Sequence, residues 1–304
     1  MNFDLTLADY AVLQRNERNC SEHPVSGHCR AAGRLLLSVS TADQQPLPGF
    51  QDRAIGSAAS GHFRGVVADI PVGGPYTLRF TVAGSTGAAL ESAVVREILV
   101  GDLWCMAGQS NMQGFGNLPG LTPPDARIHN YYMDNRWGIA KDPLHNLWQA
   151  AARVHGGNPA YPTPRNLAKG AGPGLSFAAM MLEHTGVPQG LIACAHGGTS
   201  MMQWDPALRP KGDDSLYGAT ANRIRRLGGR IAGVIWYQGC NDAGGAEAVR
   251  AYTSRMKKLV AAFRRDARNP RLPVVIAQLG RHMPGPDPDH WTAIRDQQYR
   301  FCRT

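Results

Sequence analysis

The stretch Leu99-Val100-Gly101-Asp102-Leu103-Trp104-Cys105-Met106-Ala107-Gly108-Gln109-Ser110-Asn111-Met112 decides the fold class. Its apolar run has almost no alternation, the pattern of a parallel strand buried on both faces. Gly108 breaks the run and a serine follows at the tip of the turn. In an open α/β sheet, ligands bind beyond the carboxyl ends of the strands, so a hydroxyl at that place is positioned for chemistry. Serine is also a favoured helix N-cap. On this stretch alone, Ser110 reads equally as a nucleophile and as the cap of the next helix.

Downstream, strands alternate with helices. Residues 175–184 read as a helix stopped by Gly186, and residues 190–195 as a second buried strand ending in His196-Gly197-Gly198-Thr199-Ser200. A helix over 216–227 leads to a third strand, 231–237, which ends in Gln238-Gly239-Cys240-Asn241-Asp242. A basic amphipathic helix (246–265), a fourth strand (273–279) and a last helix (291–301) follow. This order predicts a parallel sheet with helices on its faces. Residues 114–172 show no periodicity and read as a long loop. Its rings Tyr131, Tyr132, Trp137, Trp148 and Tyr161 suit either packing of the loop or contact with a sugar.

Upstream, residues 1–97 hold short alternating runs separated by Gly, Pro, Asp and Asn, with the clearest strands at 35–40, 62–67 and 76–82. They predict an antiparallel β-sandwich. The chain of 304 residues therefore divides into an accessory domain, 1–97, and an α/β domain, 98–304.

Composition excludes several classes. With 43% apolar and 18% charged residues the chain is globular, and no run approaches the roughly 20 apolar residues of a membrane span. The net charge of +9 is scattered, without a basic run interleaved with aromatics, so a solvated basic surface is expected rather than a nucleic-acid site. The six cysteines show no metal-ligand spacing, and several sit in core strands as small hydrophobes. No cofactor or metal is expected. As written, the N-terminus carries no signal peptide, which suggests the cytoplasm, or the periplasm or exterior for a longer N-terminus.

Three strand ends bearing small or amide-bearing residues suggest one site. Ester hydrolysis through serine needs a hydroxyl, a base and N–H donors for the oxyanion. Ser110 supplies the first. The amides of Ser110 and Gly198, with the side chain of Asn241 or Gln238, supply the donors. The G-x-S-x-G elbow is not matched, since Met112 stands where its second glycine would be. Gly170-Ala171-Gly172-Pro173-Gly174 does not follow a strand and is no dinucleotide fingerprint.

Gly108-Gln109-Ser110-Asn111-Met112, Gly197-Gly198-Thr199-Ser200 with Trp204, and Trp236-Tyr237-Gln238-Gly239-Cys240-Asn241-Asp242 together resemble the first three blocks of the SGNH hydrolases. More closely they resemble the sialate O-acetylesterase branch. Val12-Leu13-Gln14-Arg15 and Gly73-Gly74-Pro75-Tyr76 are similar to that branch's N-terminal β-domain. The resemblance implies a flavodoxin-like three-layer domain that removes acetyl groups from a carbohydrate without a metal. Ser110 would be its nucleophile, with Gly198 and Asn241 as oxyanion donors and Gln238 as the competitor for Asn241. An acetylxylan-type esterase and a catalytically impaired carbohydrate-binding scaffold are the alternatives. The family's base, a His three residues after an Asp, follows one further strand, and that block is expected to be missing. The literal match Asp287-Pro288-Asp289-His290 precedes the last helix instead of following it, which leaves Asp287 and His290 a tentative pair. His196 and His282 are further histidines near the expected loops.

Overall fold

The computed structural model describes residues 4–156, 169–281 and 285–303. Its central element is the strand of the deciding stretch, which is longer than expected and runs Ala89–Gly108. The first half pairs antiparallel with Gly73–Ala83, setting Leu78 against Val95 and Tyr76 against Ile98. The second half pairs parallel with Gln189–Ala193 on one side and Gly233–Tyr237 on the other, so Cys105 faces both Ile192 and Val234. The boundary drawn between 97 and 98 thus falls inside one strand, where Glu97 has φ 58 and the register shifts. The change of partner comes at Gly101, where a β-carbon would lie 2.0 Å from the Pro188 carbonyl oxygen.

The second half of the long strand lies in a mixed α/β, mostly parallel sheet. Across it the strands run Trp137–Ile139, Ile128–Tyr131, Gln189–Ala193, the long strand, Gly233–Tyr237 and Val274–Ile276, with only the first antiparallel. Period-two geometry divides the long strand between two cores. Leu103, Cys105 and Ala107 pack toward the helices Leu216–Arg226, Ala246–Asp266 and Pro288–Phe301. Trp104 and Met106 pack toward Gly174–Thr185. Burial on both faces accounts for the unbroken apolar run.

One expectation is corrected. The stretch 114–172 is not all loop, since Ile128–Tyr131 and Trp137–Ile139 extend the sheet. The first is a fully buried strand disguised by two polar residues. His129 Nδ1 pairs with the Tyr10 carbonyl at 2.7 Å, and the Asn130 amide donates to the Leu144 carbonyl at 3.3 Å. Tyr131 packs on Trp137 at 5.2 Å between centroids, whereas Trp148 is exposed and Tyr161 lies outside the described residues.

In the N-terminal half the expected β-sandwich is not confirmed. Its strands pair along one path, Cys20–His28, His62–Pro71, Arg53–Ala59, Gly33–Ser40, Gly73–Ala83 and the long strand. Val12–Gln14 lies against the far side of residues 99–101, and an Arg15–Ser21 bridge leads back to the first strand of the path. The sheet rolls around a single core that includes Leu35, Phe63, Ile70, Leu78, Phe80 and Ile98. Alternation shows that such strands have one buried face, but closure depends on pairings remote in sequence.

The two halves are stitched together beside Gly101. Arg15 grips buried Asp102 with two hydrogen bonds of 2.8 Å, and the Gln14 side-chain oxygen accepts from Leu103 N at 2.8 Å. All six cysteines are unpaired, and among the described residues no helix is long and apolar enough to cross a membrane.

Candidate active site

Gly108 turns the chain at the end of the long strand with φ 135, where a β-carbon would come within 2.3 Å of the Tyr237 carbonyl oxygen. Only glycine permits that approach. A one-turn helix, Ser110–Gln113, follows. Its N-cap is Gln109, and no side chain caps it. Ser110 is therefore not the cap that its residue type suggested. It sits half-buried in the first turn, and its hydroxyl has no hydrogen-bond partner among the described residues.

The glutamines on either side of Ser110 hold the other two loops, a role the sequence reading missed. Gln109 is 4% exposed, and its side-chain oxygen accepts from Gly239 N at 3.0 Å and Asn241 N at 3.3 Å. Gln113 accepts from Gly197 N at 2.7 Å. Each acceptor satisfies donors of a turn that has no regular ladder of its own, and losing it would leave those N–H groups unpaired at about 1–3 kcal/mol apiece where buried. Gln109 and Gln113 lie one residue before and three after the serine, so one turn of chain sets the serine and clamps both neighbouring loops.

In the second loop Thr199 closes on the His196 carbonyl at 2.7 Å and receives Trp204 Nε1 at 3.1 Å. Gly198 is left exposed with φ 72, and its N–H has no partner among the described residues. The third loop divides its two amides. Gln238 is fully buried, and both its N–H groups are spent, one on the Thr199 carbonyl at 3.0 Å and one on Asp242 Oδ2 at 2.5 Å. Asp242 also accepts from Met201 N at 2.9 Å, and burial raises its carboxyl pKa above the usual range. Asn241 is exposed with its side-chain amide uncommitted. Gln238 thus ties the second loop to the third and has no side-chain N–H left open.

The histidines are distributed differently from the expected base. His196 turns to His155, with Nδ1 atoms 3.1 Å apart and stacked rings, and burial lowers the pKa of both. His145, buried nearby, is pushed down to about 3 by desolvation and then by the Arg223 cation. Asp287 is the N-cap of the last helix, and its Oδ1 accepts from the backbone N–H groups of Asp289 at 2.8 Å and His290 at 3.2 Å. The Asp287–His290 spacing is thereby a helix-start spacing, with Asp287 at the cap and His290 in the first turn of the last helix. His282 lies outside the described residues. Among the described residues no group of three or more His, Cys, Asp or Glu could hold a metal ion.

Residues 100–303 match the family model described as carbohydrate esterase, sialic acid-specific acetylesterase. The chain belongs to this carbohydrate esterase family. The match begins at Val100, beside the residue where the long strand changes partners. A probable carbohydrate esterase of Arabidopsis thaliana is 29% identical over 194 residues, 57% of this chain and 66% of that one. A carbohydrate acetylesterase from Xanthomonas citri superposes with a TM-score of 0.64 at 25% identity, over 99% of this chain and 66% of that one. The solved structure of an Arabidopsis thaliana protein superposes with a TM-score of 0.52 at 24% identity, over 66% of this chain and 80% of that one, and speaks for the fold. This family member thus spans about two thirds of the length of the first two relatives.

Proposed function

We propose that the chain is a serine O-acetylesterase acting on an acetylated carbohydrate. The observation that carries this reading is a division of labour at one sheet edge. Gln109, Gln113 and Gln238 are spent holding the loops, while the Ser110 hydroxyl, the Gly198 N–H and the Asn241 amide are left open. Ser110 Oγ attacks the acetyl carbonyl, and the oxyanion that forms is held by Gly198 N–H and Asn241 Nδ2–H. The C–O bond to the sugar breaks, the sugar oxygen takes the proton, and water then releases acetate from the acetyl-serine.

The activating base is the remaining part. The resemblance implies an Asp-x-x-His pair after a further strand that follows the last helix, a block with no counterpart among the described residues. The uncommitted Ser110 hydroxyl therefore favours a second reading, a binding scaffold of the same fold. Release of 4-nitrophenol from its acetate decides between them: the esterase reading expects turnover that Ser110→Ala abolishes, and turnover indifferent to that change would sink the nucleophile. Sialate specificity is the reading the family description supports, with xylan acetate as its alternative. Acetate release from an O-acetylated sialoside against an acetylated xylooligosaccharide separates them.

A further inference from the structure

Phe115 is 57% exposed, although it follows directly on the loop that carries the nucleophile. Its position is built rather than incidental. Gly114 turns the chain with φ 107 where a β-carbon would lie 2.3 Å from the Gly170 carbonyl oxygen. The next residues, Gly116–Asn117, pair with Lys169–Ala171 in a two-stranded ribbon. Between these anchors the ring lies against the second loop: a β-carbon at Gly197 would be 3.7 Å from Phe115 Cε2 and 3.6 Å from Ser110 Cβ. One glycine therefore separates an open aromatic face from the serine.

We propose that Phe115 is a sugar-binding platform, the surface on which the pyranose ring of the substrate lies while its acetyl group reaches Ser110. This rests on the esterase reading above. An acetyl methyl group is small and gains most from an enclosed pocket, whereas a ring more than half exposed offers a flat apolar face. The C–H face of a pyranose is the part of an acetylated sugar with that shape and polarity. Aromatic surface with few torsions binds such a face at low entropic cost.

The test compares methyl 2,3,4-tri-O-acetyl-β-D-xylopyranoside with ethyl acetate, which has no ring, in wild type, Phe115→Ala and Phe115→Trp. An aryl acetate is unsuitable, because its own ring would stack. The ratio of kcat/KM between the two esters is expected to fall about tenfold in Phe115→Ala, mainly through KM, and to recover in Phe115→Trp. A ratio that stays constant, whether both rates fall or neither does, overturns the proposal. If wild type cleaves neither ester, release of 4-nitrophenol from its acetate judges the esterase reading, and the platform is tested separately by saturation-transfer NMR with methyl β-D-xylopyranoside. Ring C–H signals that vanish in Phe115→Ala uphold it, and signals that persist or never arise overturn it.

Discussion

The rolled antiparallel half and the parallel half share one strand yet differ in where their chain ends lie. In the antiparallel half successive strands run in opposite directions, so their ends fall alternately at opposite rims. In the parallel half the long strand, Gln189–Ala193 and Gly233–Tyr237 all stop at one edge, and three loops meet there. Parallel order concentrates loop chemistry, and the loops bearing Ser110, Gly198 and Asn241 meet at that edge. Rolling, by contrast, encloses a core.

The sharpest way to break this comparison is at Ser110. Ser110→Ala should lower ester turnover by at least about 1,000-fold while leaving the thermal midpoint unchanged, since the hydroxyl holds nothing. Steady-state kinetics beside a melting curve check both parts. At the seam, Arg15→Ala would strand the buried Asp102 carboxylate and should cost about 3 kcal/mol in denaturant unfolding. A single unchanged transition would show the halves to be joined by packing alone.

Within the third loop, Asn241→Ala should reduce kcat about 100-fold without loss of stability. Gln238→Ala should destabilise by about 2 kcal/mol, because Asp242 and Thr199 lose a partner. Equal effects on both properties would erase the distinction between the two amides.

A further effect is one of pH. His23 in the rolled half and His145 in the parallel half are pushed down by burial to about 4 and about 3, from an ordinary 6.5. Their neutral forms fit the fold, so stability is full above about pH 6.5 and falls as the pH drops toward those values. Each contributes a slope near 1.4 kcal/mol per pH unit in that window. His145→Gln should flatten the slope, as followed by urea midpoints from pH 6.5 to 4.5.

Much of the parallel half was legible because its strands are apolar on both faces and end in glycine. The strand Ile128–Tyr131 escaped notice because its core position is taken by His129 and Asn130, each of which pairs one side-chain nitrogen with a carbonyl remote in sequence. Rolling of the N-terminal sheet hangs on pairings such as Val12 with Leu99, which no local pattern reveals. Ser110, Gly198 and Asn241 were singled out from their blocks, and the structure brings their three loops to one sheet edge. Residue type alone did not tell Gln238 from Asn241, because burial separates them and not chemistry. Nor did it show that Asp287 caps a helix, although an Asp before a proline and an apolar run is a start signal.

The shared strand also bears on the order in which the molecule is made. Synthesis delivers the rolled half first, and its last strand already includes the central strand of the second sheet. Residues 189–193 and 233–237, which pair with its second half, emerge later. Parallel pairing is ordinarily slow, because long loops must close before any contact rewards them. In this chain the strand shared by both parallel partners is made before either of them.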